Sequence, residues 1–131
     1  MRKNIEIPAD TENLRIIEKV IDDMSWELNL SDEIYGNVLV ATMEATNNAI
    51  VHGSKNNKEI PVKVEIELVE SDLSIRVINA GPGFDFTKVP DPTAPENIEK
   101  INGRGIFLME KLSDELNFFD EGREVELKFK L

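Results

Sequence analysis

Glu44, Asn48 and His52 recur every four positions within Glu-Ala-Thr-Asn-Asn-Ala-Ile-Val-His-Gly, residues 44–53. On an α-helix that interval stacks a carboxylate, an amide and an imidazole along one face. Ala41, Ala45, Ala49 and Ile50 are small or apolar, so the helix can lie close against a core while presenting one polar row. The row reads as one wall of a polar site, and two later glycine-bearing stretches could complete it. Asn79-Ala80-Gly81-Pro82-Gly83 follows a strand pattern; glycines there permit tight turns and close approach of a ligand to the main chain. Gly103-Arg104-Gly105 precedes a helix pattern. Exposed amides and the positive dipole end of a helix attract phosphate, and Arg104 adds a cation with bidentate donors. Each glycine pair alone reads as an ordinary turn; their order after the polar row gives them weight.

The row needs a scaffold. Ile5 and Ile7 alternate with Asn4 and Glu6, predicting a short strand over 2–7. Asp10 or Thr11 can cap a helix running to about Asn29, with Leu14, Ile17, Ile21 and Met24 as its apolar stripe. Ser31, followed by Asp32 and Glu33, predicts the start of a second helix that carries the row to about Val51 and stops at Gly53. Ile60, Val62, Val64, Ile66 and Leu68 alternate against mostly charged residues, as in a strand with one buried face. A turn at Ser71-Asp72 leads into an antiparallel partner through Leu73, Ile75 and Val77. A third helix is expected at about 105–113, then strands around 116–119 and 125–131 joined by a turn at Glu121-Gly122. Pro82, Pro90, Pro92 and Pro95 exclude a single regular element before the third helix. The stretch at about 84–102 reads as a lid between the two glycine loops. Strands cluster into hairpins rather than alternating with helices. The expected fold is therefore an α/β two-layer sandwich, helices on one face of a mixed, mostly antiparallel sheet.

The 131 residues form one domain, 1–131, with no linker pattern and with 40% apolar residues for a core. No apolar run is long enough to span a bilayer, and the N-terminal segment has no apolar stretch of a signal peptide. Absence of cysteine excludes disulfides and thiolate metal sites. These features point to the cytoplasm. A formal net charge of −11 without a Lys/Arg stripe argues against nucleic-acid binding, whereas a basic protein partner suits it.

Glu44-xxx-Asn48-xxx-His52-Gly53 resembles the N box of the GHKL ATPases, Asn79-x-Gly81-x-Gly83 their first glycine box, and Gly103-x-Gly105 the second. Gly103 to Leu116, Gly-Arg-Gly-Ile-Phe-Leu-Met-Glu-Lys-Leu-Ser-Asp-Glu-Leu, is similar to the small bacterial anti-sigma-factor serine kinases of the sporulation and stress-response type. The resemblance spans nearly the whole chain and implies the Bergerat ATP-binding fold. It implies that Asn48 binds Mg2+, that Glu44 is the base orienting the attacking hydroxyl, and that Gly81 and Gly83 line the adenine pocket. Gly103, Arg104 and Gly105 would hold the phosphates of ATP beneath the lid. His52 is read as structural, capping the last carbonyls or shaping the pocket.

The family usually has aspartate where Asn79 stands, and that carboxylate accepts a hydrogen bond from the adenine amino group. Asn79 keeps an acceptor oxygen but loses the charge, an expected weakening on the order of 1 kcal/mol, and its amide donor could serve a guanine carbonyl. By resemblance the chain is an ATP-dependent serine/threonine-protein kinase and anti-sigma factor. It would bind a sigma factor and phosphorylate a serine of an anti-anti-sigma (STAS-type) partner. The alternative is a non-catalytic partner-binding switch with weakened nucleotide binding. A histidine-kinase ATP domain would need an acceptor histidine on a helical hairpin; His52, inside the motif, is the sole histidine. A homodimer through a sheet edge or helix face is implied by the resemblance alone.

Overall fold

The computed structural model describes residues 1–81 and 101–131, with the backbone alone for 101–104. The first strand, β1 (Arg2–Ile7), leads through a 3-10 turn at Thr11–Asn13 into α1 (Leu14–Leu28). Of the two candidate caps it is Asp10 that serves: its Oδ1 accepts the Glu12 N–H at 2.9 Å. Ile17, Ile21 and Met24 of the expected stripe are fully buried. Asn29 then enters the left-handed region at φ 52° and ends the helix, a role suited to asparagine. Ser31 Oγ accepts the Ile34 N–H at 3.2 Å and opens α2 (Asp32–Asn48).

α2 stops sooner than the sequence suggests. Residues Ala49–Gly53 form a π turn instead, in which the Ser54 N–H donates to the Ala49 carbonyl at 2.7 Å. Such insertions widen the helix to i→i+5 bonding. His52 therefore lies in this π turn and not in α2 with Glu44 and Asn48.

β2 (Val62–Val69) and β3 (Asp72–Asn79) form a hairpin in which Val69 pairs with Asp72. The turn is thus Glu70-Ser71, one residue earlier than expected, with Glu70 supplying the positive φ of 56°. α3 (Ile101–Leu112) is followed by β4 (Glu115–Phe119) and β5 (Glu124–Lys130). Asp120, Glu121 and Gly122 join these last strands, all three at positive φ.

The sheet order is β1-β2-β3-β5-β4, and every pairing among the described residues is antiparallel. Its apolar face carries Ile7, Val62, Val64, Ile66, Leu73, Ile75, Val77, Val125, Leu127 and Phe129. α1, α2 and α3 cover that face, giving the two-layer sandwich. α2 lies between α1 and α3 and also touches β3 and β5. Val38, Ala41 and Ala45 are its fully buried apolar residues. Small side chains there bring the helix close to the sheet, as the alanine spacing implies.

The other sheet face is charged. In register across four strands it sets Glu65 beside Arg76, Arg76 beside Glu126, and Glu126 beside Asn117. Glu126 is only 6% exposed. Arg76 donates to its Oε2 from Nε and Nη2, each at 3.2 Å, and Asn117 Nδ2 donates to its Oε1 at 3.2 Å. A depression of about 330 Å³ on this face, whose lining includes Glu65, Arg76 and Glu126, contains no residue of the polar row.

Candidate active site

The polar row and the second glycine loop meet. α3 crosses α2 so closely that a Cβ at Gly105 would lie 2.9 Å from Glu44 Oε2 and 3.7 Å from both Asn48 Nδ2 and Oδ1. A glycine is what lets a carboxylate and an amide occupy that gap. Asn48 is 4% exposed, and its Nδ2 has no hydrogen-bond partner among the described residues. An orphaned buried amide end costs about 1–3 kcal/mol, so this group is suited to a ligand.

The sequence placed Gly103-Arg104-Gly105 ahead of the helix; the structure places them inside it, because α3 already begins at Ile101. Glycine in a helix costs only about 1 kcal/mol relative to alanine, and packing against α2 overrides it. Within α3, Gly105 supplies the close approach to Glu44. The Arg104 side chain, Gly83 and the lid expected at about 84–102 lie outside the described residues, except that 101–102 open α3.

The first glycine loop is built against the end of α2. The π turn brings Gly53 onto Asn79: a Cβ at Gly53 would sit 2.3 Å from Asn79 Nδ2 and 2.6 Å from its Cγ. A Cβ at Gly81 would sit 2.1 Å from the Gly53 carbonyl oxygen. Two backbones thus touch where only glycines fit. Asn79, 3% exposed, accepts the Gly81 N–H on Oδ1 at 2.9 Å. The oxygen expected to face a base is therefore already engaged by the chain's own backbone. This is an Asx turn, in which a short polar side chain folds back on the backbone two residues on.

Sequence reasoning missed Arg123. Its carbonyl accepts the Asn79 N–H at 2.9 Å, and its Nε donates to the Gly81 carbonyl at 2.7 Å. It clamps the loop from both sides while its Nη1 reaches the Asp120 carbonyl at 3.2 Å. One arginine after a turn carries no signal in the sequence; only the β3–β5 pairing puts it beside Gly81. Ser54 was missed too: it is 1% exposed, follows Gly53 directly, and its Oγ has no partner among the described residues.

Among the described residues no group of three His, Cys, Asp or Glu could hold a metal ion. Mg2+ is an ion that keeps waters and substrate phosphates in its shell beside one or two protein ligands. The unpaired Asn48 Nδ2 is a donor and suits a phosphate oxygen, whereas a cation there would be held by the amide oxygen Oδ1. The described part of the site thus holds a carboxylate one helical turn from a buried amide, with Gly105 packed over both, and a close contact of Gly53, Asn79 and Gly81. That combination suits orientation of a hydroxyl against a bound phosphate.

The family model described as the histidine kinase-like ATPase domain matches residues 7–129. The chain belongs to that family. A serine-protein kinase RsbW of Listeria innocua is 27% identical over 128 residues, 92% of this chain and 82% of that protein. An anti-sigma F factor of Clostridium botulinum is 27% identical over 135 aligned positions, 98% of this chain and 94% of that protein. Among solved structures, the RsbU and RsbW domains of Rv1364c from Mycobacterium tuberculosis superpose with a TM-score of 0.73 at 16% identity. This chain is covered completely in that match and spans 32% of the other. The histidine kinase domain of a blue-light-activated kinase from Erythrobacter litoralis matches with a TM-score of 0.56 at 17% identity, covering 95% of this chain and 61% of that one. These structural likenesses agree with the sandwich read from the sequence. No helix among the described residues is long and apolar enough to cross a membrane.

Proposed function

We propose that this chain is an ATP-dependent protein serine kinase and anti-sigma factor. It would bind a sigma factor and phosphorylate a serine on an anti-anti-sigma partner of STAS type, in the cytoplasm. The relatives' names support this role at the level of the family. The observation that carries it is the meeting of Glu44 and Asn48 at Gly105 of α3. Glu44 orients the serine hydroxyl and takes its proton. Asn48 would hold Mg2+, whose charge offsets that of the phosphates. Gly53, Gly81 and Asn79 wall the base pocket, and Arg123 fixes that wall. Backbone amides of 101–104, with Arg104, would receive the phosphates, and Gly83 and the lid belong to the same proposal. The resemblance also implies a homodimer; β1 and β4, the edge strands of the sheet among the described residues, are where an edge pairing would form.

Glu44→Gln keeps the shape and removes the base. Nucleotide binding measured by calorimetry should persist, while phosphate transfer to the partner's serine, followed by mass spectrometry, should fall by roughly 10²–10⁴-fold. Undiminished transfer would refute the role of Glu44.

One observation favours the second reading, a non-catalytic switch: Asn79 stands where the family usually has aspartate, and its oxygen is engaged by Gly81. Nucleotide binding at micromolar concentration separates the two.

A further inference from the structure

Hydrogen bonding at Asn79 decides which end of its amide is left for a ligand. Oδ1 accepts the Gly81 N–H at 2.9 Å. Only an acceptor can face an N–H, so the backbone itself fixes the amide's orientation. Turned over, the amide would set its amino group against that N–H and leave both unpaired. The loop cannot readily rearrange to suit, because Arg123 holds the Asn79 N–H and the Gly81 carbonyl together. The two glycines leave no slack either: the Cβ position of Gly53 is 2.8 Å, and that of Gly81 3.1 Å, from the same Oδ1.

The remaining end is Nδ2, which lies against Gly53. An aspartate here closes the same turn with one oxygen and leaves the second, an acceptor, in the place of Nδ2. Asparagine leaves two N–H donors. An acceptor in that place suits the 6-amino group of adenine, whereas a donor suits a 6-carbonyl. Resting on the assignment of Asn79 to the base pocket in the proposed function, we propose that this site binds 6-oxopurine nucleoside triphosphates, of the inosine and guanosine class, at least as tightly as ATP. Nδ2–H donates to the purine O6. Adenine instead sets its amino donor against the amide donor, or shares an oxygen already bonded to Gly81.

The test is calorimetric titration of the full chain with ATP, inosine triphosphate and guanosine triphosphate in the presence of Mg2+, for the natural protein and for Asn79→Asp. Inosine triphosphate isolates the 6-carbonyl from the 2-amino group of guanine. Aspartate keeps the Asx turn, so the variant should fold, and circular dichroism verifies it. The natural protein should bind inosine triphosphate as tightly as ATP or more so. Asn79→Asp should move the ratio of the two dissociation constants toward ATP by about tenfold or more, the scale of one mispaired buried donor. ATP binding about tenfold tighter than inosine triphosphate in the natural protein overturns the proposal and leaves the kinase assignment standing. So does a ratio that Asn79→Asp leaves unchanged. Failure of all three nucleotides to bind the natural protein overturns both.

Discussion

Gly105→Ala separates folding from chemistry at this site. The added methyl would lie 2.9 Å from Glu44 Oε2, the far end of a flexible side chain, and 3.7 Å from both polar atoms of the Asn48 amide. The Asn48 distances are ordinary contacts; only the carboxylate must move, by about 0.5 Å, to reach normal separation near 3.4 Å. Shifting a side chain off its preferred rotamer costs about 0.5–1.5 kcal/mol. Alanine in a helix interior returns about 0.5–1 kcal/mol relative to glycine. The two nearly cancel, so thermal unfolding followed by circular dichroism should shift by no more than about 3 °C. Phosphate transfer should respond very differently. A misplacement of about 1 Å at a reacting group can cost 10²-fold, so half that distance at the base should reduce single-turnover transfer by about tenfold or more. The reasoning fails if Gly105→Ala transfers phosphate at the parental rate. It also fails if the melting temperature drops by about 10 °C or more, since the helices would then lack the play assumed here.

Gly81→Ala should behave oppositely, because its Cβ would meet the Gly53 carbonyl oxygen at 2.1 Å and backbone cannot step aside; a loss of about 2 kcal/mol or more in denaturant unfolding is expected. Arg123→Ala removes the 2.7 Å donor to the Gly81 carbonyl. It should cost about 1–2 kcal/mol of stability and weaken nucleotide binding by calorimetry, whereas an effect on neither would remove Arg123 from the site. Tyr35, the only tyrosine, donates to Asp22 Oδ1, and that bond, then burial, then the negative charges of Asp22 and Glu18 raise its pKa above the ordinary 10.0. With the folded value raised, the stabilisation is complete below pH 10.0 and is lost as pH rises through the folded value. Phenolate absorbance should titrate above the ordinary value in the folded protein and move back toward it in Asp22→Asn.

Local rules carried much of the chain. Apolar alternation fixed β1, β2 and β3, because a sheet with one buried face repeats every second residue. Helical spacing and caps fixed α1 and the start of α2, since Ser31 and Asp10 satisfy backbone donors within three residues of themselves. The order of the polar row and the glycine loops was also legible, and with it the family. Chemistry requires particular residue types at particular spacings, and these are written along the chain.

What the sequence could not determine was decided by contacts between residues far apart in it. The π turn at 49–53 keeps a helical amino-acid pattern and differs only in its bonding; it is what brings Gly53 to Asn79. Glycines at 103 and 105 looked like a break before a helix, yet packing of α3 against α2 drew them inside it. The burden on Asn79 Oδ1 and the clamp by Arg123 depend on β3 and β5 being neighbours. Residue types set which groups are present to react. Tertiary packing set which of their atoms are already spent on the protein itself and which are left for a ligand, since a hydrogen-bonding group buried by folding is satisfied by whatever the fold brings to it.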